Sequence, residues 1–203
     1  MGHGKRSLSR ADVTTALAMT LDAAGAAVPY RLCGTGAALL QGVPLPAGDI
    51  DLLMPGRPEL HAFAAALAPF PCLHAPAWIP GSDQYFARFA VNGVEVELST
   101  VERQAGSDAL ECVGEGPWRH HVLVACGPHQ VPAVRLEIRL ATELLRDRAD
   151  RYGPLVGHLR AHGFDPGLLR RAMDAAGVPA ARRRPILEGL RAQDRENFLN
   201  RKK

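Results

Sequence analysis

The chain has 203 residues, of which 47% are hydrophobic and 22% charged. That is material for one folded core with room for a helical appendage, and too apolar a mixture for a disordered tail. No apolar run reaches the roughly 18 residues that span a bilayer, and the N-terminal Met1-Gly-His-Gly-Lys5-Arg6 leads into polar residues, so a cytoplasmic location without a membrane partner is expected.

The formal net charge of +3 hides a division. Residues 1–133 carry 8 Lys and Arg against 12 Asp and Glu, whereas residues 134–203 carry 16 against 9. Cys33, Cys72, Cys112 and Cys126 stand far apart without a C-x-x-C pair, which argues against a zinc cluster and provides no disulfide framework.

In chain order, Ser9-Arg-Ala-Asp12 reads as a capping box, followed by a helix with Val13, Leu17 and Leu21 on one face and Gly25 at its end. A short strand over residues 28–32, the turn Gly34-Thr35-Gly36 and a small-residue helix over 37–41 come next. A strand over 49–54 and a helix over 58–67, opened by Pro58, follow. Pro69, Pro71, Pro76, Pro80 and Gly81 predict a long irregular segment around Trp78. Residues 85–91 and 94–98 flank Asn92-Gly93, a dipeptide that tolerates positive φ at both turn positions, and so predict a hairpin. Short strands are expected over 121–125 and 130–131. Beyond Pro132 the period becomes helical, with helices expected through residues 134–148, 152–162, 165–176 and 180–199. The expected division is therefore a core over 1–132 and a helical region over 133–203.

The chemistry concentrates in Gly34-Thr35 and Asp49-Ile-Asp51. On a strand, residues two apart share a face, so Asp49 and Asp51 project together while Ile50 and Leu52 point to the core. Paired carboxylates repel unless a cation joins them, and oxygen-rich pairs suit Mg²⁺, which also takes substrate phosphates. The hairpin alternates likewise, with Val94, Val96 and Leu98 on one face and Glu95 and Glu97 on the other. If that strand lies beside the Asp strand, one of the two glutamates completes a site able to hold two ions about 3.5–4 Å apart, or to take a proton from an attacking hydroxyl. Gly34-Thr35, at a strand-to-helix junction, can receive an anion on free backbone amides.

These residues, in this order, resemble the nucleotidyltransferase superfamily with the polymerase-β-like fold: Gly-Ser/Thr at a helix start, then Asp-x-Asp, then a third acid on a later strand. The nearest resemblance is to small bacterial antibiotic-type nucleotidyltransferases and their relatives, over roughly residues 10–160. The resemblance implies an α+β fold, a mixed sheet with flanking helices followed by an all-helical C-terminal region. It implies Asp49, Asp51 and Glu97 as catalytic and metal-binding residues, the Gly-Val-x-Val-Glu pattern selecting Glu97 over Glu95. It also implies Gly34, Thr35 and Arg148 as nucleotide-binding residues. Two Mg²⁺ ions, ATP or another nucleoside triphosphate, and a small hydroxylated acceptor are the implied partners. Two departures stand out: Gly48 replaces the polar residue often found before the first Asp, and Glu97 stands where the larger superfamily usually has Asp.

Other readings carry less. The third glycine of a dinucleotide fingerprint is missing after Gly34-Thr-Gly36, and no G-K-[ST] follows any glycine loop. His158 and His162 lack a third metal ligand nearby in sequence. Trp78 is either an acceptor-stacking ring or a loop anchor. The basic Arg182-Arg183-Arg184 has no aromatic interleaved with it, so no nucleic-acid partner is expected. The alternative function is a nucleotide-binding regulatory module of the toxin–antitoxin type, without turnover, or transfer to a protein or tRNA end.

Overall fold

The computed structural model describes residues 7–25, 28–80, 84–100 and 120–200. Cys112, Gly81 and the polar N-terminal residues 1–6 lie outside them. The element order is α1 (Arg10–Ala24), β1 (Arg31–Cys33), α2 (Gly34–Leu40), β2 (Ile50–Met54), α3 (Arg57–Ala66), β3 (Cys72–Ile79), β4 (Gln84–Val91), β5 (Val94–Thr100), β6 (His121–Cys126) and β7 (His129–Val134). Four helices follow: α4 (Leu136–Leu145), α5 (Ala149–His162), α6 (Pro166–Ala175) and α7 (Ala180–Asn200).

The strands form one seven-stranded sheet in the order β3-β4-β5-β2-β1-β7-β6. It is mixed: β2 runs parallel to β5 and β1 parallel to β7, and the remaining pairs are antiparallel. With its flanking helices it is the expected α+β architecture.

Local chemistry accounts for the boundaries. The Ser9 hydroxyl accepts from the Asp12 amide at 3.1 Å while the Asp12 carboxylate accepts from the Ser9 amide at 2.8 Å, a reciprocal cap worth about 1 kcal/mol. The hairpin β4–β5 turns on Asn92 and Gly93, both at positive φ, which matches the twist of the strands on either side. In β5, Val94, Val96, Leu98 and Thr100 are buried and the residues between them half-buried. Together with Ile50, Leu52 and Leu32, fully buried, the valines and leucine of this set make one face of the sheet into the floor of the core, against which α1 and α3 pack.

Three elements depart from expectation. The proline-rich stretch before the hairpin contains a strand, β3, paired with β4. As an edge strand it tolerates Pro76 without losing a ladder bond on both sides, and register shifts between Cys72 and His74 and between His74 and Ala77 absorb the irregularity. The helix α2 begins at Gly34, so Gly34-Thr-Gly36 is its first turn rather than a separate loop. The strand β7 continues through Val134, held on both sides by β6 and β1, which lends it a length its own sequence does not show. Among the described residues no helix is long and apolar enough to cross a membrane.

Candidate active site

The site begins where β1 ends and α2 starts. Gly34 has φ +67, a conformation that costs other residues about 1–2 kcal/mol. A Cβ built there would overlap Oδ2 of Asp51 and stand 2.6 Å from its Cγ. The Asp51 carboxylate thus occupies the space a side chain at Gly34 would need, and lies against the first residue of α2.

Register places the other acid. Cys33 opposes Asp51, Asp51 opposes Glu97, and Glu97 opposes Arg88, so these side chains form one row across β1, β2, β5 and β4. The row lies on the sheet face away from the core floor. Its consequence is a cavity of ≈ 390 Å³ lined by Gly34, Thr35, Asp49, Asp51 and Glu97. Five of the six site residues expected from sequence are thereby brought together.

Glu97 does not stand alone. Arg88 Nη2 lies 2.9 Å from its Oε1, and Nη1 lies 3.5 Å from Oε2 of Glu95, so one guanidinium gathers both hairpin glutamates. Glu97 lines the cavity; Glu95 does not.

Arg148, the sixth, is elsewhere. Its guanidinium forks onto the Asp150 carboxylate, at 3.0 Å from Nε and 2.9 Å from Nη2, in an exposed pair. The hydrogen bonds from Arg148 hold the Asp150 carboxyl below its ordinary range. The arginines that do line the cavity are Arg139 of α4, Arg146 at its end and Arg151 of α5. Arg139 stands out only in the fold, as a charged residue in a helix whose positions from Leu136 to Leu144 are all buried. Arg88 does carry a readable signal, because a two-residue Asn-Gly turn dictates that it faces Glu97.

No protein-family model matches the chain, and no curated protein matches it in sequence. Solved structures do match in shape. A candidate nucleotidyltransferase of Thermotoga maritima superposes over 79% of this chain and 100% of its own, with a TM-score of 0.54 and 18% identity. The fold is that of the nucleotidyltransferases. JHP933 of Helicobacter pylori (15% identity, 96% of this chain and 100% of its own, TM-score 0.46) and the antibiotic-resistance factor ANT(2'')-Ia (17%, 93% and 94%, 0.42) are further structures similar to it.

Within this nucleotidyltransferase fold the cavity offers donors of the kind a divalent cation takes. Asp49, Asp51 and the Thr35 hydroxyl line the cavity with hard oxygens, which suit Mg²⁺ with its preference for one or two carboxylates plus phosphate oxygens. Among the described residues, however, no group of three His, Cys, Asp or Glu side chains is gathered as a metal-ligand cluster. The residues fit one cation held by the aspartates, with Glu97 turned to Arg88.

Proposed function

We propose that this chain is a metal-dependent nucleotidyltransferase that moves a nucleoside monophosphate, most simply AMP from ATP, to a hydroxyl of a small-molecule acceptor and releases pyrophosphate. One observation carries the reading: carboxylates on β2 and β5 and arginines from α4 and α5 line the same cavity. A triphosphate needs both, since its α-phosphorus must be approached by an oxygen nucleophile while the charge of the departing pyrophosphate is met by cations.

In this reading Arg139, Arg146 and Arg151 bind the β- and γ-phosphates, guanidinium being suited to phosphate oxygens by its planar fork of donors. Gly34 and Thr35 receive the remaining phosphate oxygens. Asp49 and Asp51 would hold Mg²⁺, which would supply neutralisation of the phosphate charge when bound. The acceptor oxygen forms its bond to the α-phosphorus as the bond to the β-phosphate oxygen breaks, and Glu97, oriented by Arg88, takes the hydroxyl proton. Each arginine of the basic run is engaged within the chain, Arg182 with Asp147 at 3.0 Å, Arg183 with Asp174, and Arg184 with Glu188 at 2.8 Å, which supports a small acceptor over a nucleic acid.

The second reading, nucleotide binding without turnover, is favoured by the Arg88–Glu97 pair, because a carboxylate oxygen held by a guanidinium is less open to an acceptor hydroxyl. Incubation with the four nucleoside triphosphates, Mg²⁺ and a panel of hydroxylated acceptors separates the two. Pyrophosphate release that Asp51→Asn lowers to below about one-hundredth supports the enzyme. Saturable nucleotide binding without pyrophosphate release in the presence of any acceptor supports the binding module.

A further inference from the structure

The helix α4 is buried from Leu136 to Leu144, yet three of its residues, Glu137, Arg139 and Glu143, are charged, and the last two pair with each other. Four positions apart, they meet on one helix face as an ion pair, their side chains 4% and 1% exposed. The same carboxylate oxygen, Oε1, lies 3.7 Å from Nη1 of Arg151 on α5. One buried oxygen therefore faces two guanidiniums from two helices. Both arginines line the cavity, and Glu143 does not.

From this we infer that Glu143 is the positioning residue of the arginine wall: it holds Arg139 and Arg151 together, in the spacing that receives a polyphosphate chain. The inference rests on the reading of that wall as the phosphate site and names the residue that organises it.

Stability is a poor explanation for the arrangement. A buried ion group is often matched or exceeded by apolar residues of the same volume, since desolvation offsets the attraction. The second oxygen of Glu143, Oε2, is buried without a hydrogen-bond partner among the described residues, a cost that structural pairs usually avoid. What the carboxylate does accomplish is local: two like charges that would repel each other are held side by side at the cavity wall. A lone arginine in that wall would be free to turn to other partners, and the second would be driven away from it.

The test uses the full-length chain and inorganic tripolyphosphate, with binding followed by calorimetry and folding by circular dichroism. Glu143→Gln keeps the size and one acceptor oxygen but removes the charge. It is expected to bind tripolyphosphate at least about tenfold more weakly than wild type, and to raise KM for the nucleotide while kcat at saturation changes little. A double-mutant comparison with Arg151→Met is expected to be non-additive, since both changes disturb the same contact. Where Glu143→Gln does not fold, Glu143→Asp takes its place: charge is kept but withdrawn by one methylene, and weaker tripolyphosphate binding by the folded variant supports the inference. Wild-type affinity in the folded variant overturns it, as does additivity with Arg151→Met. If both variants unfold, Glu143 is a structural residue and the inference fails. If the wild-type chain itself shows no saturable tripolyphosphate binding, the phosphate reading of the wall falls, and Glu143's role with it.

Discussion

Asp51 and Gly34 share one volume: the carboxylate of the first fills the place where the second would carry a side chain. A glycine in the αL region and an acid on the neighbouring strand are therefore a single feature of the cavity, and no side chain can be added at the glycine without displacing the acid. Gly34→Ala is accordingly expected to be damaging twice over. The positive φ at Gly34 costs about 1–2 kcal/mol for alanine, which lowers Tm by roughly 2–8 °C for a chain of this size. The displaced Asp51 carboxylate should abolish the thermal stabilisation given by nucleotide with Mg²⁺. A melting curve and a nucleotide-induced shift like those of wild type would contradict the shared-volume account.

Arg88 is expected to restrain Glu97. In Arg88→Gln the glutamate loses its 2.9 Å guanidinium contact, which eases its turn toward a cation held by Asp49 and Asp51. Part-exposed pairs of this kind are worth about 0.2–1 kcal/mol, so the Mg²⁺ concentration that half-saturates nucleotide binding should fall by up to about fivefold. Titrating Mg²⁺ against both proteins measures this. A higher Mg²⁺ requirement in the variant would assign Arg88 to the phosphates instead.

Two neighbouring arginines should behave oppositely. Arg146 lines the cavity, and Arg148 forks onto Asp150 in solvent. Arg146→Ala should raise KM for nucleoside triphosphate by about ten- to a hundredfold, the worth of a charge-assisted phosphate contact, whereas Arg148→Ala should leave KM within about twofold. Steady-state kinetics on the pair decides it, and equal effects from the two variants would refute the placement.

His158 is expected to make stability fall in mild acid. Burial, and secondarily the charge of His162, whose ring stacks on it at 4.0 Å, hold its pKa below the usual 6.5. The folded chain then binds fewer protons than the unfolded chain near and below that value, so this contribution is present above pH ~6.5 and is lost as pH falls from there through the lower folded pKa. The groups around His158 include His162 one turn away and, from α4 and its approach, Arg135 and Glu137, which line the same depression. Urea unfolding at pH 8 and pH 5 should show the decline, and His158→Asn should reduce it. An identical decline in the variant would place the proton uptake elsewhere.

Much of the site is written in short stretches of chain. The alternation of Ile50 and Leu52 with Asp49 and Asp51, and of the three apolar residues of β5 with Glu95 and Glu97, assigns acids to one sheet face, because successive strand residues point to opposite sides. The Asn92-Gly93 turn goes further. By forcing Val91 opposite Val94 it also places Arg88 opposite Glu97, a contact readable from the hairpin alone. The Ser9–Asp12 box is equally local.

Other features depend on neighbours that are remote in sequence. A strand containing Pro76 forms because β4 provides a partner on one side and the sheet ends there. Glu97 comes beside Asp51 only because β2 and β5 run parallel through a crossover. The choice of Arg139, Arg146 and Arg151 over Arg148 follows from how α4 and α5 pack. The sequence by itself determined where the acids lie along their strands and which way they face, since those choices are governed by dihedral preferences and alternation over a few residues. Only the tertiary structure decided which helix arginines join them at the cavity, because helices reach it through packing against distant elements, and no local rule encodes that distance.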